Sequence, residues 1–255
     1  MWGAMRHAVA ILLVGIALSV VSAEMATAAD IPTKAPAYTL ASHYDWTGFY
    51  AGGEVGGGWT FWQATIPSGS PGFPAGFVEN PVYTNGGLGG AYGGYNYQIN
   101  NVLVGIDGNY SWANLRGSAI VISMPGILDV VSQRVNRIAT ATGRLGYTVN
   151  NWMFFGKAGW AWANFSGLGS VTNGAGIVTG LNTVLSNRNG WTIGTGVEWG
   201  FAARWSAKIE YDYVNFGSAE VLNVDTAVPS GIVTTNLRND AASMNVLKLG
   251  VAYRF

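Results

Sequence analysis

A two-residue alternation runs through this sequence to its last residue, and it constrains the fold more than any other feature. In Met244–Phe255, Leu247, Leu249, Val251, Tyr253 and Phe255 fall on one side, and Val246, Lys248, Gly250, Ala252 and Arg254 on the other. Successive side chains of a strand point to opposite faces. The segment is therefore predicted to be a strand with one continuously apolar face and one face carrying two cations among small residues. Seven earlier stretches share this pattern. In Trp46–Phe61 an outward set of Phe49, Ala51, Gly53, Val55, Gly57, Trp59 and Phe61 alternates with Tyr50, Gly52, Glu54 and three small residues. The others are Gly87–Gln98, Val102–Trp112, Val135–Thr148, Trp152–Trp162, Trp191–Trp199 and Trp205–Tyr213.

The connections alternate in length. Tight turns are predicted at Ile99–Asn101, Val149–Asn151 and Phe201–Ala203, and long connections at Trp62–Gly86, Ala113–Arg134, Ser166–Asn189 and Gly217–Ala241. Aromatic residues gather at both ends of the outward faces, with Ala, Gly, Val, Ile and Leu between them. Two aromatic girdles around an aliphatic band suit a bilayer. Charged residues make up only 10% of the chain, against roughly 25% in ordinary soluble domains. After the first two dozen residues no long apolar run occurs, which disfavours helical spans. The predicted fold is all-β: an eight-stranded antiparallel up-and-down transmembrane barrel with short periplasmic turns, four long surface loops and both termini in the periplasm of a Gram-negative bacterium.

Residues 1–28 read as a signal peptide: Arg6 and His7, an apolar core over Ala8–Val21, and Ala26-Thr27-Ala28 as a small-x-small cleavage site. Residues 29–45, rich in Pro and Ala, read as a periplasmic leader, and 46–255 as the barrel domain. With no cysteine, disulfides and thiolate metal sites are excluded. The 13 basic and 13 acidic residues cancel and form no basic stripe, so no nucleic-acid partner is expected.

Trp46-Thr47-Gly48-Phe49-Tyr50-Ala51-Gly52, Gly94-Tyr95-Asn96-Tyr97-Gln98, Gly143-Arg144-Leu145-Gly146-Tyr147 and Leu249-Gly250-Val251-Ala252-Tyr253-Arg254-Phe255 resemble the outer-membrane beta-barrel domain family. The likeness is to its small alphaproteobacterial branch, the rhizobial outer-membrane protein and major surface antigen type. The resemblance implies an abundant surface barrel, often labelled porin family, with a structural role in the envelope. Leu249, Val251, Tyr253 and the terminal Phe255 resemble the signal by which the barrel-assembly machinery recognises such chains.

The lumen-facing set holds Glu54, Asp107, Glu198, Glu210 and Asp212 against Arg144, Lys157, Lys208, Lys248 and Arg254. Charges in a narrow, poorly hydrated space must pair, so a salt-bridged plug is expected. The alternative is a narrow channel for ions or very small solutes. Eight strands leave an interior that side chains fill, which argues against general diffusion. A lipid-modifying enzyme is a distant third reading. The two histidines, His7 and His43, lie in the signal and leader, so the barrel has no His-assisted nucleophile. No cofactor or metal is expected, since neither His nor Cys is available to the barrel. Outer-membrane lipids and lipopolysaccharide are the expected surroundings, and no residue pattern assigns an oligomeric state. Ser118–Val131 and Gly174–Leu185 are apolar for loops. Either the strands continue through them or they form a contact surface.

Overall fold

In a computed structural model of the chain, the structure describes residues 44–66, 75–78, 80–124, 127–173, 178–221, 227–228, 231–232 and 238–255. The expected signal segment, the leader up to His43 and residues 174–177 lie outside them. The strands are β1 (Gly48–Ile66), β2 (Phe77–Val78), β3 (Val82–Ile99), β4 (Val102–Met124), β5 (Ile127–Val149), β6 (Trp152–Asn173), β7 (Val178–Ala202), β8 (Trp205–Val221), β9 (Ala227–Val228), β10 (Gly231–Ile232) and β11 (Arg238–Arg254). Eight of them, β1, β3 to β8 and β11, form one antiparallel sheet, each pairing with the next. The sheet closes through β1 and β11, in register from Tyr50 opposite Arg254 to Thr65 opposite Asn239. Closure gives every strand two partners over the part between the aromatic girdles and leaves no edge there, as a sheet crossing hydrocarbon requires. β2 extends the ladder of β1, and β9 pairs with β10.

The three tight connections are two-residue turns: Asn100-Asn101, Asn150-Asn151 and Ala203-Arg204. Asn100 and Asn150 have φ of 55° and 53°, the left-handed region that asparagine tolerates better than most L residues. The backbone carbonyls of Asn101, Asn151 and Arg204 accept hydrogen bonds from the N–H groups of Thr148, Gly200 and Arg254, each at 2.8 Å. These contacts tie each turn to the neighbouring strand.

The long connections differ from the sequence reading. β4 continues to Met124, β5 already starts at Ile127, and β6 and β7 reach Asn173 and Val178. Most of the apolar stretch Ser118–Val131 is therefore ladder, as is the described part of Gly174–Leu185. β-branched residues such as Ile120, Ile122, Val130 and Val131 favour the pleated state, but with little polar contrast their alternation is hard to see. At about 3.3 Å per residue and about 40° of tilt, the 25 residues of β7 reach roughly 60 Å, beyond any bilayer core.

Outward residues sort as a bilayer requires. Val55, Ile106, Leu145, Ile193 and Leu249 form an exposed apolar band, Ile106 at 67% exposure. At the turn end, Trp152 stacks on Trp199 with ring centroids 5.8 Å apart, and Trp205 meets Tyr253 at 5.2 Å. At the loop end, Tyr110 packs on Trp112 at 5.3 Å and Trp191 on Tyr213 at 5.6 Å.

The register shifts at several places among the described residues, and two of these bulges bear on the inward faces and the strand ends. On β5, Val135 pairs with Phe165 but Arg137 with Asn164, so Asn136 is the extra residue and the inward parity changes there. On β8, the ladder to β11 slips between Asn215 and Ser218, where Gly217 adopts a φ of 64°.

Candidate functional site

The inward faces carry all ten charged residues read from the sequence, and every one is buried. β8 supplies three at alternate positions, Lys208, Glu210 and Asp212. The rest come from β1 (Glu54), β4 (Asp107), β5 (Arg144), β6 (Lys157), β7 (Glu198) and β11 (Lys248, Arg254).

Glu210 is the hub. Its carboxylate lies 2.6 Å from Lys157 Nζ, 2.6 Å from Lys248 Nζ and 3.0 Å from Lys208 Nζ. Lys157 also approaches Asp212 at 3.4 Å and Asp107 at 3.6 Å. Lys248 reaches Asp212 at 2.6 Å and Glu54 at 3.6 Å, and Lys208 reaches Glu54 at 3.1 Å. Four carboxylates thus face three ammonium groups. Nearer the turn end, Glu198 is bonded by Arg144 at 2.5 Å and approached by Arg254 at 3.8 Å, one carboxylate against two guanidinium groups. The two clusters are unbalanced by one charge in opposite senses.

Tyr50 joins them. Its hydroxyl donates to Asp107 Oδ2 at 2.7 Å and accepts from Arg144 Nη1 at 3.3 Å. Asn109 and Ser111 donate to Glu54 Oε1, and Ser206 donates to Glu198 Oε1 at 2.6 Å. Lys208 Nζ lies 3.6 Å from the centre of the Tyr92 ring, and the Arg144 guanidinium 3.7 Å from that of Phe155. The glycine at position 250 makes room: a Cβ there would lie 2.9 Å from the Tyr92 ring and 3.0 Å from Lys208 Cε.

Apolar side chains lie on both sides of the charges. Strand by strand, the order from turn end to loop end is Leu103, Asp107, Leu115 on β4 and Met153, Lys157, Phe165 on β6, all buried. The turn-end cluster is Tyr44, Trp46, Leu103, Met153 and Phe155. Tyr44 belongs to the segment read as leader, yet it is buried and its ring occupies the space a Cβ on Gly200 would take. Arg254 Nη1 donates to the backbone carbonyl of Trp46, and the guanidinium lies 5.2 Å from the Trp46 ring and 5.5 Å from that of Tyr44. The loop-end cluster gathers Leu88, Leu115, Val135, Phe165, Val214, Met244 and others, with the Arg188 guanidinium 5.8 Å from the Phe165 ring. Where charges meet this cap, Asn109, Thr140, Asp212 and Lys248 border a cavity of about 10 Å³, room for a single water.

Tyr44, Trp46, Tyr50, Tyr92, Arg188 and the apolar cap were not singled out by sequence reasoning. Tyr50 and Tyr92 follow the lumen parity and carry hydroxyls that need partners when buried, which was the available signal. Leu249 and Val251 line the outward face of β11, and Phe255, one residue beyond it, is 71% exposed. The Tyr253 and Phe255 rings meet edge to face at 5.4 Å.

Comparison with known proteins places this geometry. The outer membrane protein beta-barrel domain family matches residues 15–255. The 31 kDa outer-membrane immunogenic proteins of Brucella melitensis and Brucella suis are each 26% identical over 241 residues, 91% of this chain and 95% of theirs. Among solved structures, the outer membrane protease OmpT of Escherichia coli is similar with a TM-score of 0.49 at 9% identity, over 82% of this chain and 97% of that one.

Proposed function

Because the chain belongs to the outer membrane protein beta-barrel domain family and so resides in the Gram-negative outer membrane, we propose that it is a non-catalytic, non-conducting wall component and surface determinant. The tight turns and both termini face the periplasm, and the tall hairpins project outward. The observation carrying this reading is the arrangement of the lumen: ten paired charges lie between an aromatic plug at the turn end and an apolar cap at the loop end. A hydrated cation entering the cap would meet a mainly apolar lining and the Arg188 guanidinium, and losing its water there would cost several kcal/mol. The described barrel also contains no histidine, which removes His-assisted nucleophilic chemistry. The C-terminal strand, with Leu249, Val251, Tyr253 and Phe255 outward, is what the assembly machinery reads.

Single-channel recording of the refolded mature chain in planar bilayers tests the closed lumen. The wild type is expected to show no steady openings, and Glu198→Gln and Lys157→Met are expected to leave the baseline silent. Steady openings whose size or ion selectivity shifts with these substitutions would make the lumen a channel and overturn the proposal. Protease accessibility of the hairpin tips on intact cells checks the orientation separately.

A further inference from the structure

Outside the lumen, three arginines stand together on the outer wall. Arg116 on β4 lies directly opposite Arg134 on β5, and Arg137 lies opposite Trp112 of the loop-end girdle. All three are exposed. Like charges directly opposite on paired strands repel, and an anion between them would relieve that repulsion. The bulge at Asn136 creates it. Along β5 the inward residues are Ile138, Thr140, Thr142 and Arg144, and unbroken alternation would have turned Arg134 into the lumen. With the extra residue, Val135 points inward instead, and Arg134 joins Arg137 outside. Bulges re-aim side chains in this way.

Among the described side chains, no carboxylate partners these cations. Every such carboxylate except Asp45 at the turn end lies inside the lumen. Arg116 Nε donates to Asn114 Oδ1 at 2.5 Å, which orients the guanidinium and leaves its terminal N–H groups available. The neighbouring outward residues are neutral: Asn85 opposite Arg116, and Ser166 and Asn164 opposite Arg134 and Arg137. The cluster begins level with Trp112 and rises a few residues above it, the depth at which lipid headgroups meet the girdle.

We infer that Arg116, Arg134 and Arg137 form a site for the phosphate group of a membrane lipid in the leaflet at the loop end. Guanidinium pairs match phosphate in charge and in bidentate geometry. A site on the wall at girdle depth is reached by a membrane-embedded lipid more readily than by a soluble anion. With the loops outward, that lipid is the phosphorylated glycolipid of the outer leaflet. Only this naming of the leaflet rests on the proposed orientation.

The test uses the full mature chain released from phosphatidylcholine vesicles containing either lipid A or dephosphorylated lipid A, with retained lipid counted by native mass spectrometry. Wild type is expected to retain lipid A about tenfold better than the dephosphorylated form, the effect of losing one charge-assisted contact or more. An Arg116→Gln/Arg134→Gln/Arg137→Gln variant is expected to lose that preference, whereas Arg204→Gln at the turn end keeps it. Folding is checked by heat-modifiable gel mobility, and Arg134→Gln alone serves if the triple variant does not fold. Equal retention of the two lipids by wild type, or an unchanged preference in the folded variant, would overturn the site. Displacement of lipid A by excess inorganic phosphate would overturn its assignment to a lipid. Vesicle binding is independent of orientation in cells, so failure here and failure of the topology are distinguishable.

Discussion

Replacing Glu210 by glutamine removes the central charge of the lumen with almost no change in shape. Three ammonium groups lie within 3.0 Å of this carboxylate, and each keeps a second partner: Asp212 at 3.4 Å for Lys157, Glu54 at 3.1 Å for Lys208 and Asp212 at 2.6 Å for Lys248. Breaking a buried ion pair costs roughly 3–5 kcal/mol, because the remaining charge stays buried. With residual partners present, the lower end applies, and Glu210→Gln is expected to destabilise the barrel by about 3 kcal/mol, about two decades in the folding equilibrium. The variant Glu210→Gln/Lys248→Met removes one charge of each sign. Its cost is expected to fall below the sum of the single changes by roughly 1–3 kcal/mol, the coupling of residues in one network. Reversible urea unfolding from vesicles, followed by tryptophan fluorescence, measures all three. A cost below about 0.5 kcal/mol for Glu210→Gln, or strict additivity, would mean that water screens these charges individually. The sealed-lumen argument would then fail.

Tyr50→Phe removes the hydroxyl that links the two charge clusters. It leaves Asp107 Oδ2 without its donor, and a loss of about 1–3 kcal/mol is expected in the same unfolding assay; a neutral result would show that the clusters are independent. Phe255→Ala removes an exposed ring that makes an edge contact with Tyr253. It is expected to slow assembly in cells while changing the stability of the folded barrel by less than about 1 kcal/mol, read as the rate of appearance of the heat-modifiable form against its urea midpoint. Equal assembly rates would remove the signal role. Trp46→Ala is expected to loosen the turn-end plug and admit brief current flickers while the apolar cap holds; steady, ohmic conductance would show that the cap is not a barrier.

The strand pairing and the outward surface were legible because lipid and lumen impose opposite demands on alternate residues. Leu247, Leu249 and Val251 against Lys248 and Arg254 leave little ambiguity. The ten lumen charges followed from the same parity. The contrast fades where both faces are apolar. Leu115, Val135 and Phe165 point inward into the cap, so their strands looked finished where they in fact continue. The bulge at Asn136 shifts parity by one residue, and nothing in the local composition marks it. Tyr44 and Trp46 lie in or beside a segment without periodicity. Their place in the plug depends on Gly200 and Arg254, more than 150 residues away in the chain, a tertiary match that local pattern does not encode.

The lumen network also spans the point where the barrel closes. Lys248 and Arg254 arrive with β11, the last strand, while their partners Glu54, Glu198, Glu210 and Asp212 lie on β1, β7 and β8. Until β11 is seated, an open sheet holds more carboxylates than cations and must keep them in contact with water. Drawing that face into a dry interior becomes favourable only once the final strand neutralises it. Charge balance thus serves as a completeness check: a truncated or misregistered chain carries its own electrostatic reason not to close.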